Sequence, residues 1–170
     1  GFGGYLSVPI VLVAKLLKVP VVIHEQTVVW GAANRFLKKF AKFLAVSWPH
    51  LVEPGVVLTG NPIPDEIREI KVTSGPPHVI RPVLLILGGS QGSRTIDNAV
   101  APLLPKLIKR FEIYHQTRRG LPFMTTPSYN SAPWFSTPDL ATLLARTSLV
   151  DSRAGANTVT YLALLGIPAV

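Results

Sequence analysis

Residues 82–94 read Pro-Val-Leu-Leu-Ile-Leu-Gly-Gly-Ser-Gln-Gly-Ser-Arg. Five successive apolar residues between a proline and a glycine pair predict a strand covered on both faces, as in a parallel sheet. The glycines of 88–92 predict a tight loop, and 93–109 predicts a helix. Strand, glycine turn and helix form the front of a βα unit. Downstream the rhythm continues with strands at 111–116, 148–152 and 167–170 and helices at 139–146 and 156–165. Upstream, 7–18 and 31–44 predict helices, and 21–24, 45–48 and 56–59 predict short strands. The fold class is α/β with parallel sheets. Residues 61–82 break the rhythm with Pro62, Pro64, Gly75, Pro76, Pro77 and Pro82. They predict a connection between two domains, with a short helix near 65–70. Residues 117–133, rich in Pro and Thr, give no clear element.

The 170 residues carry 17 Lys+Arg against 9 Asp+Glu, a net charge of +8, with 48% hydrophobic and 15% charged residues. That composition excludes disorder. The absence of Cys excludes disulfides, thiolate nucleophiles and cysteine metal cages. The most apolar window, 6–23, is interrupted by Lys15, Lys18 and Pro20 and falls short of the roughly 18 apolar residues of a membrane span. It predicts a helix followed by a buried strand. Positive charge suits nucleic acid, an anionic membrane or a phosphorylated ligand. No zinc-finger spacing, aromatic RNA-binding strand or Arg-rich arm favours nucleic acid.

Ligands of open parallel sheets bind at the carboxyl ends of strands. Three loops there carry polar residues. In the first, Gly88, Gly89, Ser90, Gln91, Gly92 and Ser93 either make a plain turn or bring main-chain amides and hydroxyls to a phosphate. The second, 152–158, again bends on a glycine, Gly155. There Asn157 and Thr158 either cap the next helix or meet a ligand. The third, 24–27, offers His24 with Glu25 as a titratable pair, or as two groups that merely hold the next helix. No second His stands at metal spacing, so no structural zinc is expected. His115 either lines the crevice or is structural, and His50 and His78 are expected in solvent. Phe36, Phe40 and Phe43 lie at helical spacing among Arg35, Lys38, Lys39 and Lys42. They form either a core face with a solvated basic back or an edge that touches anionic lipid.

Taken together, seven motifs in order resemble one family. They are Gly-Phe-Gly-Gly-Tyr (1–5), Pro-Val-Val-Ile-His-Glu-Gln (20–26), Gly-Ala-Ala-Asn (31–34), Thr-Gly-Asn-Pro-Ile (59–63), Leu-Gly-Gly-Ser-Gln-Gly-Ser-Arg (87–94), Tyr-His-Gln-Thr (114–117) and Ser-Arg-Ala-Gly-Ala-Asn-Thr-Val (152–159). The chain is similar to the MurG-type N-acetylglucosaminyltransferases of peptidoglycan synthesis over nearly its whole length. The resemblance implies a GT-B architecture of two Rossmann-like domains. Residues 1–63 would be the later part of the acceptor domain, 64–82 the linker and 83–170 the front of the UDP-sugar domain. It implies inverting transfer of GlcNAc from UDP-GlcNAc to an undecaprenyl-pyrophosphoryl muropeptide, lipid I to lipid II, with no metal or other cofactor. The place of action is then the cytoplasmic face of the bacterial cell membrane, as a peripheral protein.

By the same resemblance Gly89, Ser90, Gln91, Gly92, Thr137, Gly155, Ala156, Asn157, Thr158 and Thr27 meet UDP-GlcNAc. Gly3, Gly4, Tyr5, His24, Glu25, Gln26 and Asn34 meet the acceptor, and Arg35, Lys38, Lys39 and Lys42 face an anionic membrane. The chain departs from the family at Thr27 (usually Asn), Pro64 (Arg), Asp97 (Asn) and Tyr161 (Glu), which is expected to weaken donor binding. Both ends read as cut from within a longer protein. The family's first glycine loop, with its His proposed as base, is expected upstream, so the isolated chain is expected not to turn over. Rival readings are another GT-B UDP-sugar transferase, a non-catalytic nucleotide-binding Rossmann module, or a basic membrane-docking domain.

Overall fold

The computed structural model describes residues 1–71, 81–118 and 125–170. The chain folds as two compact units, Gly1–Pro62 and Ile63–Val170. The middle of the expected connection, 72–80 with His78, lies outside the described residues, as does 119–124.

In the first unit, helix α1 (Ser7–Leu16) leads to strand β1 (Val22–Glu25), helix α2 (Ala32–Leu37), and strands β2 (Phe43–Val46) and β3 (Val56–Leu58). The strands form one parallel sheet in the order β1-β2-β3. Lys18, at φ 57°, and Pro20 stop α1, because neither a left-handed residue nor a residue without an N–H continues a helix. The core is Val11, Val21, Ile23 and Leu37, with Val8, Phe40 and Leu44 packed against it. One expectation fails here. The helix expected over 31–44 ends at Leu37 and gives way to a 3₁₀ turn, Lys38–Phe40. Phe43 is instead drawn into β2, where it pairs with Val22. The window 6–23 is, as expected, a helix followed by a buried strand. Of α1 only Val11 is buried, while Leu6 and Ile10 beside it and Leu16 stay more than 60% exposed.

The second unit opens with helix α3 (Asp65–Arg68), then strand β4 (Val83–Leu87), helices α4 (Arg94–Val100) and α5 (Leu104–Leu107), and strand β5 (Glu112–Gln116). Strands β6 (Thr125–Thr126) and β7 (Tyr129–Ala132), helix α6 (Thr137–Leu144), strand β8 (Thr147–Ser152) and helix α7 (Ala156–Leu165) complete it. The sheet order is β6-β7-β5-β4-β8, parallel except for β6 against β7. All five residues of β4 are buried. Leu85 and Leu87 face the core beneath α6 and α7, while Leu84 and Ile86 face the one beneath α4 and α5. The helix expected over 93–109 is two helices. Pro102 has no N–H to give the carbonyl four residues back, and Pro105 sits in the first turn of α5. The strand expected at 167–170 is a single bridge from Ala169 to Val150.

Helix α3 lies in the stretch read as a connection, yet it packs on α6. Ile67 is fully buried with Leu85, Leu144 and Val150, and Ile63 and Ile70 pack against the same cluster. Residues 63–70 therefore contribute to the core of the second unit. Ile67→Ala should lower the stability of that unit by about 2–5 kcal/mol, the usual range for emptying a buried aliphatic site. Urea unfolding followed by tryptophan fluorescence and circular dichroism measures it.

Candidate functional site

In the second unit the parallel ladder pairs Leu87 with Ser152 on one side and with Gln116 on the other. The loops after β4 and β8 therefore leave the same edge of the sheet from neighbouring strands. Gly89 and Gly92 take positive φ, 80° and 71°, which glycine adopts without strain. Gly88 is glycine for another reason: a Cβ would stand 2.7 Å from the Ser93 amide and 2.9 Å from the Gln116 carbonyl. Gly92 N–H donates to the Gly89 carbonyl, closing the turn at 2.9 Å. Ser93 caps α4, its hydroxyl oxygen accepting from the Ile96 amide at 3.4 Å. Ser90 and Gln91 are exposed at the tip of the loop.

After β8, Ala154 takes φ 29° and Gly155 is the N-cap of α7. Glycine brings no capping side chain, so the first-turn amides at Ala156, Asn157 and Thr158 receive none from the N-cap residue. No acidic residue stands in that turn. Amides in this state suit an anion. Thr137 opens α6, where Ser136 takes the capping role and accepts from the Asp139 amide. Tyr161, half-buried, packs against the core cluster of Leu85 and Val150.

In the first unit β1 sends its two polar residues in different directions, as strand alternation requires. His24 Nε2 meets the Thr59 hydroxyl at 3.1 Å and the Gly60 carbonyl at 3.0 Å. Glu25 accepts from the Thr27 amide and hydroxyl, the Gly31 amide and Asn34 Nδ2, at 2.7–3.0 Å. Of the two readings of this pair, Glu25 fits the holding role. Burial alone pushes its carboxyl up, but the donors from Thr27, Gly31 and Asn34 outweigh it and hold the group below the ordinary glutamate value. The Thr27 hydroxyl, expected at the donor, lies within hydrogen-bond reach of Glu25 and of the Val29 carbonyl. Asn34 is buried, and its Oδ1 has no partner among the described residues. It lies against Gly3, whose φ is 89°.

These residues line a cavity of ≈ 540 Å³ bounded by Phe2, Gly3, Gly4, Tyr5, Glu25, Thr27, Gly31, Asn34 and Phe36. Of the expected acceptor residues it thus gathers Gly3, Gly4, Tyr5, Glu25 and Asn34. His24 and Gln26 stand outside it. The Gln26 carbonyl accepts from Trp48 Nε1.

The basic residues near α2 sit on aromatic rings: Lys39 over Phe36 and Phe40, Lys42 over Phe43, and Lys38 over Trp30. Lys38 is also paired with Glu53 at 2.8 Å, and Arg35 donates to the Trp30 carbonyl. No described helix is long and apolar enough to cross a membrane.

The model of the glycosyltransferase family 28 C-terminal domain matches residues 83–170, and that of the family's N-terminal domain matches 1–46. A Staphylococcus carnosus relative is the UDP-N-acetylglucosamine–N-acetylmuramyl-(pentapeptide) pyrophosphoryl-undecaprenol N-acetylglucosamine transferase. It is 36% identical over 175 residues, covering 98% of this chain and 48% of its own length. The Granulibacter bethesdensis protein of the same name is 40% identical over 189 residues, covering 100% of this chain and 49% of its own. The crystal structure of Acinetobacter baumannii MurG superposes with a TM-score of 0.71 at 28% identity, over 99% of this chain and 50% of that one. The chain spans about half the length of the curated relatives it matches. The α/β, GT-B-type reading of the sequence holds.

Glu25→Gln keeps the shape of the side chain but sets an NH₂ group against donors. It should destabilise the first unit by about 1–3 kcal/mol. Because the folded carboxyl titrates below its unfolded value of about 4.3, its contribution is present above that pH and lost as pH falls through the folded value. Thermal unfolding across the acid range should show that dependence in the parent chain and not in the variant.

Proposed function

Since the chain belongs to glycosyltransferase family 28, we propose that it forms part of an enzyme that moves GlcNAc from UDP-GlcNAc to a polyprenyl-pyrophosphate-linked muropeptide, the lipid I to lipid II step of peptidoglycan synthesis. The observation that carries this reading is the pair of glycine loops leaving adjacent strands at Leu87 and Ser152. The names of the relatives support it.

In this reading the acceptor hydroxyl, giving up its proton to a general base, attacks the anomeric carbon from the side opposite the nucleotide. The carbon–oxygen bond to UDP breaks, configuration inverts, and UDP departs with the developing negative charge. Amides of Gly89, Ser90, Gln91 and Gly92, and of Ala156, Asn157 and Thr158 after Gly155, stabilise that charge as a fixed set of donors. Thr137 belongs to the same donor side. Residues 1–63 serve the acceptor and 83–170 the donor, and the cavity at Gly3, Gly4, Tyr5 and Asn34 takes polar parts of the acceptor.

The acceptor's polyprenyl chain requires a membrane surface. The exposed apolar face of α1 supports peripheral docking on the cytoplasmic face of the bacterial cell membrane. So do Arg35, Lys39 and Lys42, with Lys38 half-neutralised by Glu53. Basic residues near an anionic surface each add about 1 kcal/mol.

Ser90→Ala should weaken UDP binding about 5-fold, one hydrogen bond's worth. Calorimetry reads it, and an unchanged affinity would count against the loop assignment. Exchanging Lys39 and Lys42 together for Glu should cut sedimentation with vesicles rich in anionic lipid by at least about 10-fold, and added salt should cut it in the parent chain.

A further inference from the structure

Three contacts fasten the carboxyl end of β5 to the glycine loop and the helix behind it. Gln116 Nε2 donates to the Gly89 carbonyl at 3.2 Å. The Arg118 backbone lies so close to Gly92 that a Cβ there would stand 2.2 Å from Arg118 Cα. The third contact runs through His115, whose Nε2 is 3.3 Å from Asp97 Oδ1 in the first turn of α4.

His115 is 3% exposed and the Asp97 side chain 12%. The approach is an ion-pair distance without hydrogen-bond alignment, and neither Asp97 oxygen has another partner among the described residues. A carboxylate so placed depends on the imidazole beside it. On its far side, His115 Nδ1 meets the Tyr129 hydroxyl at 3.0 Å. The groups that face the imidazole are Asp97 from α4, Tyr129 with Ser131 from β7, and Asp151 from β8. Burial pushes the imidazole below the usual histidine value, more than Asp97 and Asp151 raise it. Burial likewise pushes the Tyr129 phenol up. The Asp97 carboxylate oxygens beside Nε2 only accept, which favours the proton on Nε2 and leaves Nδ1 to accept from the Tyr129 hydroxyl.

We propose that His115 is a positioning residue. Through Asp97 and Tyr129 it sets the first turn of α4 against β5, and so fixes the main-chain amides of residues 88–93 for an anionic nucleotide. The nucleotide part rests on the function proposed above; the mechanical part does not. Protonation undoes the arrangement, because an imidazolium offers Tyr129 no acceptor and draws Asp97 into a new pair. A histidine depressed by folding lends stability that is full above its unfolded value of about 6.5 and lost as pH falls through the folded value.

The test uses the whole 170-residue chain, labelled with ¹⁵N. His115→Ala should shift the Gly89 and Gly92 amide resonances and weaken UDP about 10-fold by calorimetry, the loss of one well-placed polar contact. His115→Gln should restore both, since a carboxamide can accept from Tyr129 and donate toward Asp97. In the parent chain those amides should move with the His115 ring as pH falls below about 6.5, and in His115→Gln they should not. Tyr129→Phe keeps the packing and should reproduce part of the amide shift if His115→Ala does not fold. The proposal is overturned if the loop amides stay still while the ring titrates, or if folded Ala and Gln variants behave alike. Should the amides follow the ring while the parent chain binds no UDP, the positioning role stands and the donor-loop assignment fails.

Discussion

The second unit depends on the register of β4. Its five buried residues lie between β5 and β8, with alternate side chains committed to two separate cores. A slip of one residue would exchange Leu84 and Ile86 for Leu85 and Leu87, misfit the packing of both cores and draw Pro82 or Gly88 into the ladder. That penalty locks Leu87 beside both Ser152 and Gln116. The placement of the two glycine loops at one sheet edge follows from it, and so does the reach of Gln116 to the Gly89 carbonyl. Core packing thus fixes where the polar loops emerge, and the glycines then decide how closely the backbones approach.

The first unit fixes its loop with a charge. Glu25 collects its donors from residues 27, 31 and 34 and shapes the turn between β1 and α2 around one carboxylate. A carboxylate so engaged is a poor proton acceptor, which argues against acid–base work by Glu25. His24, one residue earlier, points elsewhere and is occupied by Thr59 and Gly60. The adjacency that suggested a tuned pair in the sequence is undone by the alternation of a strand.

Except for 167–170, the strands were legible to within a residue or two, and β4 and α7 have the expected bounds. Their signals are local: an unbroken apolar run for β4, and glycines at both ends of α7. Legibility ended where tertiary contacts overrule local pattern. Phe43 carries helical spacing with Phe36 and Phe40, but pairing with Val22 makes it a strand residue. Ile67 sits among prolines and reads as linker, while its burial depends on α6, some 70 residues away in sequence. The buried set of Asp97, His115 and Tyr129 gathers from three elements, one of them within the unassigned 117–133. The alternating Tyr-x-Ser of 129–131 was its one local trace.

On the proposed donor-binding role, the two helix starts would not serve an anion equally. Asp97 stands in the first turn of α4 and takes up part of the favourable potential that the helix end offers to negative charge. Its carboxylate is turned inward against His115, which lessens the conflict with an incoming anion without removing it. Helix α7 has no acidic residue in its first turn, is longer, and follows the exposed, cationic Arg153. An anion held between the loops, as proposed, would therefore draw most of its stabilisation from α7. The loop before α4, tightened by Gly88 and Gly92 and tied to β5 through Gln116, would contribute mainly by geometry.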